Sequence, residues 1–385
     1  MSKRALRCPR LFDGEHWHDQ AILLIEKGLC CGIVGEDDVP PGYTVEDAGG
    51  HIVAPGFVDA QVNGGGGVLF NDQPSLEGIR TICAAHARFG TTALLPTLIT
   101  DTPEITAKAV QAARKAAQQH VPGFAGLHLE GPHLSVARKG AHHADLIRPM
   151  TAEDLTFLRD AKDTLSVLLV TLAPEAVSTA QIEALAAAQI IVSLGHSDCS
   201  YDSAAACARS GAHMVTHLFN AMSPMSHRAP GLVGAALDTD SLHAGIIADG
   251  IHVAPSVLRI ALRAKAGPGR IFLVTDAMAS IGTDLASFQL NGRTVHRRGG
   301  RLTLDDGTLA GADIDMAASV RFIHRTVGLP LETALAMASL DPASALNLAP
   351  RKGMLTSGAD ADIVVLDENL QVAATWIGGN CVHAA

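Results

Sequence analysis

Eight short apolar runs recur through the middle of the chain, separated by helix-like or long connecting stretches: GFVDAQVN, TTALLPTLI, FAGLHLEG, LSVLLVTLAPE, QIIVSLGHS, MVTHLFNA, HAGIIADG and RIFLVTDA. A continuous apolar run is what a parallel strand covered on both faces requires. Between them, LEGIRTICAAHARFG, EITAKAVQAARKAAQQH and SAAACARSG mix apolar and polar residues at helical spacing. Eight βα units in succession predict an α/β fold of the (β/α)8 TIM-barrel type. A doubly wound sheet is the rival, but the G-x-G-x-x-G that opens one is missing. A chain of 385 residues suits such a barrel with a small appended domain, and 48% hydrophobic residues can fill a large core.

Both ends read differently. AILLIEKGLCCGIVGEDD and HIVAPGF near the start, and GMLTSGADADIVVLDENLQVAATWIGGN near the end, read as strands with Gly and Asp turns. Neither end is long enough to build a good core alone. We expect residues 1–54 and 350–385 to pair into one small β domain, with 55–349 forming the barrel. After the eighth run, FQLNGRTVHRRGGRLTLDDGTLAG holds Asn291-Gly292 and Asp306-Gly307. Both dipeptides are hairpin signals, and a β excursion reaching back to the barrel mouth is expected there. Helices are expected over roughly 313–346.

The formal net charge of −10 argues against broad nucleic-acid binding, which needs surplus Lys and Arg. Seven cysteines without C-x-x-C spacing read as reduced thiols. The N-terminal MSKRALRCPRLFDG has no apolar h-region, and no apolar run approaches the roughly 18 residues of a membrane span. These features predict a soluble cytoplasmic enzyme without a membrane partner. The Gly64–Gly67 run is not followed by Gly-Lys-Ser/Thr, so it reads as a loop and not a phosphate cradle.

Chemistry in a TIM barrel sits at the C-terminal strand ends. Those ends carry Gln61 and Asn63, Glu130, His196, His217, Asp249 and Asp276. Any one of them read alone caps a helix or bonds a loop; together they converge on one mouth. Glu130, His196 and His217 suit a divalent metal, since two imidazoles and a carboxylate leave one position open for water. Asp276, ending FLVTD with no Lys or Arg beside it, reads as a general base, with a carboxylate ligand or helix cap as the alternative. In the loop RKGAHHADL, His142 or His143 would donate to a substrate carbonyl. Arg228 in SPMSHRAPG and His252 in ADGIH suit a phosphate, which arginine binds through a charge-assisted fork. His128 shares a strand face with Glu130 and reads as a supporting residue.

The segments HIVAPGFVDAQVNGGGG, LPTLIT, GLHLEGPHL, KGAHHADLIR, VTLAPE, SLGHSD, THLFNAM, APGLVGAAL, GIIADGIHV, LVTDAM and GADADIVVLD together resemble the N-acetylglucosamine-6-phosphate deacetylases of the amidohydrolase superfamily. The resemblance runs over nearly the whole chain. It implies a TIM barrel with a small β-sandwich-like domain. It also implies hydrolysis of N-acetylglucosamine 6-phosphate to glucosamine 6-phosphate and acetate, in amino-sugar catabolism or recycling. Glu130, His196 and His217 would hold the metal, Asp276 would serve as base and then acid, and His142 would polarise the acetamide. Asn220, Ala221, Arg228 and His252 would bind the sugar phosphate. The last two would come from the neighbouring subunit of a homodimer. Ala141, Asp249, Leu309, Ala310 and Gly311 would line the sugar, with Gln61 and Asn63 in the same substrate-facing set. Gln61-x-Asn63 stands where many amidohydrolases carry His-x-His, and the fourth run offers no Lys to bridge two metals. One divalent ion per subunit is therefore implied: zinc by donor type, with iron, manganese or cobalt as substitutes. His133 and Ala312 depart from the family pattern and bear on substrate preference. Two rivals remain at this stage: an amidohydrolase acting on another N-acyl or cyclic amide, and a non-catalytic sugar-phosphate sensor.

Overall fold

The computed structural model describes residues 3–50 and 52–385. Met1, Ser2 and His51, the first residue of the HIVAPGF segment, lie outside it. The eight apolar runs become eight strands: β1 (Phe57–Val62), β2 (Thr91–Ile99), β3 (Leu127–Glu130), β4 (Leu168–Leu172), β5 (Ile191–Leu194), β6 (Ala212–Val215), β7 (His243–Ile246) and β8 (Ile271–Leu273). Neighbours pair in parallel in chain order. The barrel closes at its mouth, where Val62 bridges Ala277 and the Asp276 N–H donates to the Gln61 carbonyl at 3.0 Å. This is the TIM-barrel arrangement predicted from the runs.

Both strand faces are apolar because each meets its own core. Val58, Leu95, Leu169, Ile191, Met214, Phe272 and Val274 form a cluster that threads from strand to strand. Val62, Leu94, Leu98, Leu129, Val170, Val192 and Ile246 join the larger layer beneath the helices. The helices start where the sequence supplies caps. Ser75, Thr102, Thr151, Ser178 and Ser200 accept from the backbone N–H three residues on. Thr151–Asp154 and Ser178–Gln181 are full capping boxes.

The chain ends share one eight-stranded sheet. Ile363–Leu366 runs antiparallel to Ile52–Pro55, and Ile52–Pro55 joins Lys3–Phe12. Lys3–Phe12 pairs with three different strands, which branches the sheet. Leu6, Leu11, Leu23, Val53, Ile363, Val365 and Trp376 bury one common cluster there. The excursion after β8 is a four-stranded antiparallel sheet, Ser287–Leu290, Arg293–Arg298, Arg301–Thr303 and Leu309–Ala312. Asn291 and Gly292 both have positive φ (49° and 74°), the turn that matches the twist of a two-residue hairpin. No helix among the described residues is long and apolar enough to cross a membrane.

Burial holds His86 and His243 neutral, pushing both down to about 4. An unfolded histidine titrates near about 6.5, so unfolding takes up protons below that pH and the folded state loses stability as pH falls from about 6.5 to about 4. We expect the thermal midpoint to drop across that window and His243→Gln to flatten the slope. A wild-type profile already level between pH 7 and 4 would contradict this.

Candidate active site

A cavity of about 370 Å3 opens at the C-terminal mouth of the barrel, within the range of small-molecule sites. Glu130 ends β3 and is buried. His196, His217 and Asp276 sit just past β5, β6 and β8, each with positive φ (47°, 27° and 51°). Non-glycine residues rarely adopt that left-handed backbone, and its concentration here marks a site whose shape takes precedence over local comfort.

The three expected ligands meet closely. Nε2 of His196 and Nε2 of His217 each lie 3.2 Å from Oε1 of Glu130, and 3.1 Å from one another. Burial opposes a charge on Glu130, yet His196 and His217 facing it hold its carboxyl well below the usual range. Nδ1 of His196 bonds the Arg138 carbonyl at 2.9 Å. That bond puts the ring proton on Nδ1 and turns the Nε2 lone pair toward Glu130. Donors bound at about 2.0–2.1 Å in a tetrahedron stand about 3.3 Å apart, so this triangle fits one divalent ion.

His142 also lies near, and its ligand atom falls with those of Glu130 and His196 within 4.8 Å. Its hydrogen bonds give it a different part. The Thr100 backbone N–H donates to Nδ1 at 3.3 Å, and the Thr100 hydroxyl lies 2.7 Å from the same atom. Nδ1 is therefore an acceptor, and the neutral ring carries its proton on Nε2, 3.9 Å from Oε2 of Glu130. Burial keeps this ring neutral, holding it well below the ordinary histidine value, with the neighbouring His196 adding to the effect. His142 is thus a donor aimed at the cavity, while His217, at 3.2 Å, completes the ligand triangle. His143 is exposed at the surface and takes no part.

Asp276 lines the cavity. Its Oδ1 accepts from Asn63 Nδ2 at 2.6 Å and from Gln61 Nε2 at 3.2 Å, while Oδ2 accepts no such bond among the described residues. Burial, then the charge of Glu130, pushes its carboxyl up to about 6. Asn63, Ala141, Asn220, Ala221, His252, Leu309, Ala310 and Gly311 line the same cavity.

Three expected positions are placed differently. Gln61 is buried behind the cavity wall, its amide spanning Glu130 and Asp276 at 3.2 Å each. Asp249 faces His252, with Oδ2 bonded to Nδ1 at 2.6 Å and Oδ1 holding the Ile251 and His252 N–H groups at 2.8 Å. That clamp holds His252 at the wall of the cavity of its own chain. Arg228 lies outside the cavity on a stretch, 224–230, that is exposed throughout. His133 and Ala312 also lie off the cavity wall: His133 bonds the Arg148 carbonyl at 3.1 Å, and Ala312 donates its N–H to the Asp276 carbonyl at 2.9 Å.

Several contributors escaped the sequence reading. Thr100 sets the His142 tautomer, and the Arg138 carbonyl sets that of His196. Met278, Leu290 and Thr308 complete the wall. Asp59, fully buried, anchors the turn before Asp276 through the Thr275 hydroxyl at 2.5 Å; burial pushes its carboxyl up to about 7.

Comparison with known proteins adds an independent line. The amidohydrolase family matches residues 52–382. An N-acetylgalactosamine-6-phosphate deacetylase of Shewanella sp. (strain ANA-3) is 41% identical over 367 residues, 94% of this chain and 91% of that one. The human N-acetylglucosamine-6-phosphate deacetylase is 42% identical over 359 residues, 88% of this chain and 85% of the relative. The crystal structure of N-acetylglucosamine-6-phosphate deacetylase from Pasteurella multocida superposes with a TM-score of 0.94 at 35% identity, covering 100% of both chains. A mutant of the Mycobacterium smegmatis enzyme, solved with N-acetyl-D-glucosamine 6-phosphate, gives 0.90 at 32% identity, over 99% of this chain and 100% of that one.

Proposed function

The chain belongs to the amidohydrolase family, and from that premise we propose that it hydrolyses the acetamide of N-acetyl-D-glucosamine 6-phosphate, releasing acetate and D-glucosamine 6-phosphate. The observation that carries the reading is the Glu130–His196–His217 triangle with Asp276 and His142 facing one cavity. The N-acetylgalactosamine 6-phosphate activity named for the Shewanella relative favours a second reading, the 4-epimer of the same sugar phosphate.

Glu130, His196 and His217 would hold one divalent ion, zinc by donor type, with iron, manganese or cobalt as substitutes. Such an ion supplies a Lewis acid that lowers the pKa of water and polarises a carbonyl. Asp276 takes a proton from the attacking water at Oδ2 and returns it to the departing nitrogen. Asn63 and Gln61, bonded to Oδ1, keep the other oxygen free for that exchange. His142 donates from Nε2 to the carbonyl oxygen as negative charge develops there. His252, held by Asp249, and the backbone of Asn220 and Ala221 meet the sugar phosphate. Arg228 reaches the site of a second copy in a homodimer, a role supported by the wholly exposed loop that carries it. A reducing compartment such as the cytoplasm suits the seven free thiols.

Acetate release from N-acetylglucosamine 6-phosphate, its 4-epimer and unphosphorylated N-acetylglucosamine tests the reading. We expect both phosphates to exceed the free sugar by at least about 100-fold in kcat/KM, the scale of a lost charge-assisted contact at about 2.7 kcal/mol. Equal turnover of the free sugar would remove the phosphate from the reading; no acetate from any of the three would remove the reaction. Arg228→Ala is expected to raise KM about 10–100-fold for the phosphates with kcat little changed, the pattern of lost uniform binding. An unchanged KM would exclude Arg228 from substrate capture.

A further inference from the structure

The mouth carries a residue that belongs neither to the barrel strand ends nor to the sugar wall. Arg293 is the first residue after the Asn291–Gly292 turn and pairs across the hairpin with Leu290, which lines the cavity. Its Nη2 donates to the carbonyl of Ala141, 152 positions away in the chain. Ala141 lines the cavity and immediately precedes His142.

The segment around His142 is long and irregular. From the end of β3 to the helix Ala152–Lys162 it contains only two short 3-10 turns, Val136–Arg138 and Ala144–Leu146. Thr100 grips the His142 ring from β2's end, and the His142 N–H bonds the Lys139 carbonyl at 3.0 Å, within the loop itself. Among the described residues, the contact from Arg293 is the long-range hydrogen bond that holds the 141–142 peptide. Asp306, on the same β excursion, feels the charges of both Lys139 and Arg293, so unlike charges line the seam between loop and excursion.

We propose that Arg293 is a positioning residue for His142. The guanidinium pins the Ala141 carbonyl, and that fixes the peptide from which the His142 ring is hung. Thr100 sets the ring's tautomer and tilt; Arg293 sets where the ring's base stands. The β excursion is thereby part of the catalytic frame, not only a wall of the cavity. Arginine suits the task because its charge is permanent and its fork is rigid, giving a strong, directional bond to a carbonyl. The proposal rests on the reading of His142 as the group that polarises the acetamide.

A double-mutant cycle on the metal-loaded enzyme tests it, using Arg293→Ala, His142→Asn and the pair together. Metal content and thermal midpoint are measured alongside kcat and KM on N-acetylglucosamine 6-phosphate. We expect Arg293→Ala to lower kcat about 10–100-fold with metal content unchanged, since a displacement of about 1 Å at a reacting group has effects of that order. Arg293→Lys, which keeps a cationic donor, should recover most of the loss. In the His142→Asn background, Arg293→Ala should lower kcat by less than about 2-fold, because a residue acting through another has nothing left to position. Equal losses in both backgrounds would overturn the proposal while leaving His142 in place. A raised KM at unchanged kcat would overturn it too, recasting Arg293 as a substrate contact. Full turnover by His142→Asn alone would remove the underlying reading and the proposal with it. Should Arg293→Ala unfold, the cycle run with Arg293→Gln decides on the same criterion, with Arg293→Lys kept as the rescue.

Discussion

Replacing Asp276 with asparagine is expected to lower kcat by about 10²–10⁴-fold while metal content stays at its wild-type level. The two halves of this outcome test different statements. The loss of rate reports a proton acceptor, since asparagine keeps the size and one carbonyl oxygen but takes no proton. The retained metal reports that Asp276 stands outside the ligand triangle, which is closed by Glu130, His196 and His217 at 3.1–3.2 Å. Asn63 and Gln61 bond Oδ1, and asparagine can present its carbonyl oxygen to both. The pH profile gives a second check. A base must be unprotonated to act, and burial and the charge of Glu130 place the Asp276 carboxyl at about 6. A divalent cation beside it pulls that value lower. The acid limb of kcat/KM should therefore fall about tenfold per pH unit below an inflection at or under pH 6, and should vanish in Asp276→Asn. Near-normal turnover in the variant would sink the base assignment; lost metal would make Asp276 a ligand.

How much of this was legible beforehand follows from the geometry of the fold. In a barrel, strand order is chain order, so the five runs that end in Glu130, His196, His217, Asp249 and Asp276 direct those ends to one mouth. That is why Glu130, His196, His217 and Asp276 stood out without any knowledge of distances. Residue type does not reveal direction, however. Gln61 looked like a substrate contact because it ends β1, yet its amide turns back to join Glu130 and Asp276. Asp249 likewise turns to His252 and stands off the cavity wall. The groups that tune the site were harder still to see. Thr100 meets His142 across 42 positions, Asn63 meets Asp276 across 213, and Arg293 meets Ala141 across 152. No local pattern encodes such pairs. The hairpin carrying Arg293 was visible from Asn291-Gly292, but the loop on which it would land was not. Likewise the pairing of His252 with Asp249, which sets the ring at the cavity wall, is not visible in the resemblance.

His217→Ala is expected to empty the metal site, while His142→Asn leaves it filled and lowers turnover. Both imidazoles lie beside Glu130 and His196, and proximity alone does not rank them. The hydrogen bonds do. A histidine ligates through a lone pair, so the nitrogen facing the ion must be bare. For His142 the Thr100 N–H occupies Nδ1, which leaves the proton on Nε2, the atom that faces Glu130. For His217, Nε2 stands 3.2 Å from Oε1 of Glu130 and 3.1 Å from Nε2 of His196, and among the described residues no other group bonds it. Loss of even an outer partner weakens metal binding by about 10–100-fold, and loss of a ligand should exceed that. Metal content after dialysis against a weak chelator, read by elemental analysis, separates the two variants without reference to turnover. His142→Asn should then show kcat reduced by about 10²–10³-fold, the range for removing one donor to a developing oxyanion. Metal lost from His142→Asn and kept by His217→Ala would exchange their roles: the Thr100 bond would then orient a ligand, and His217 would be left to face the substrate carbonyl.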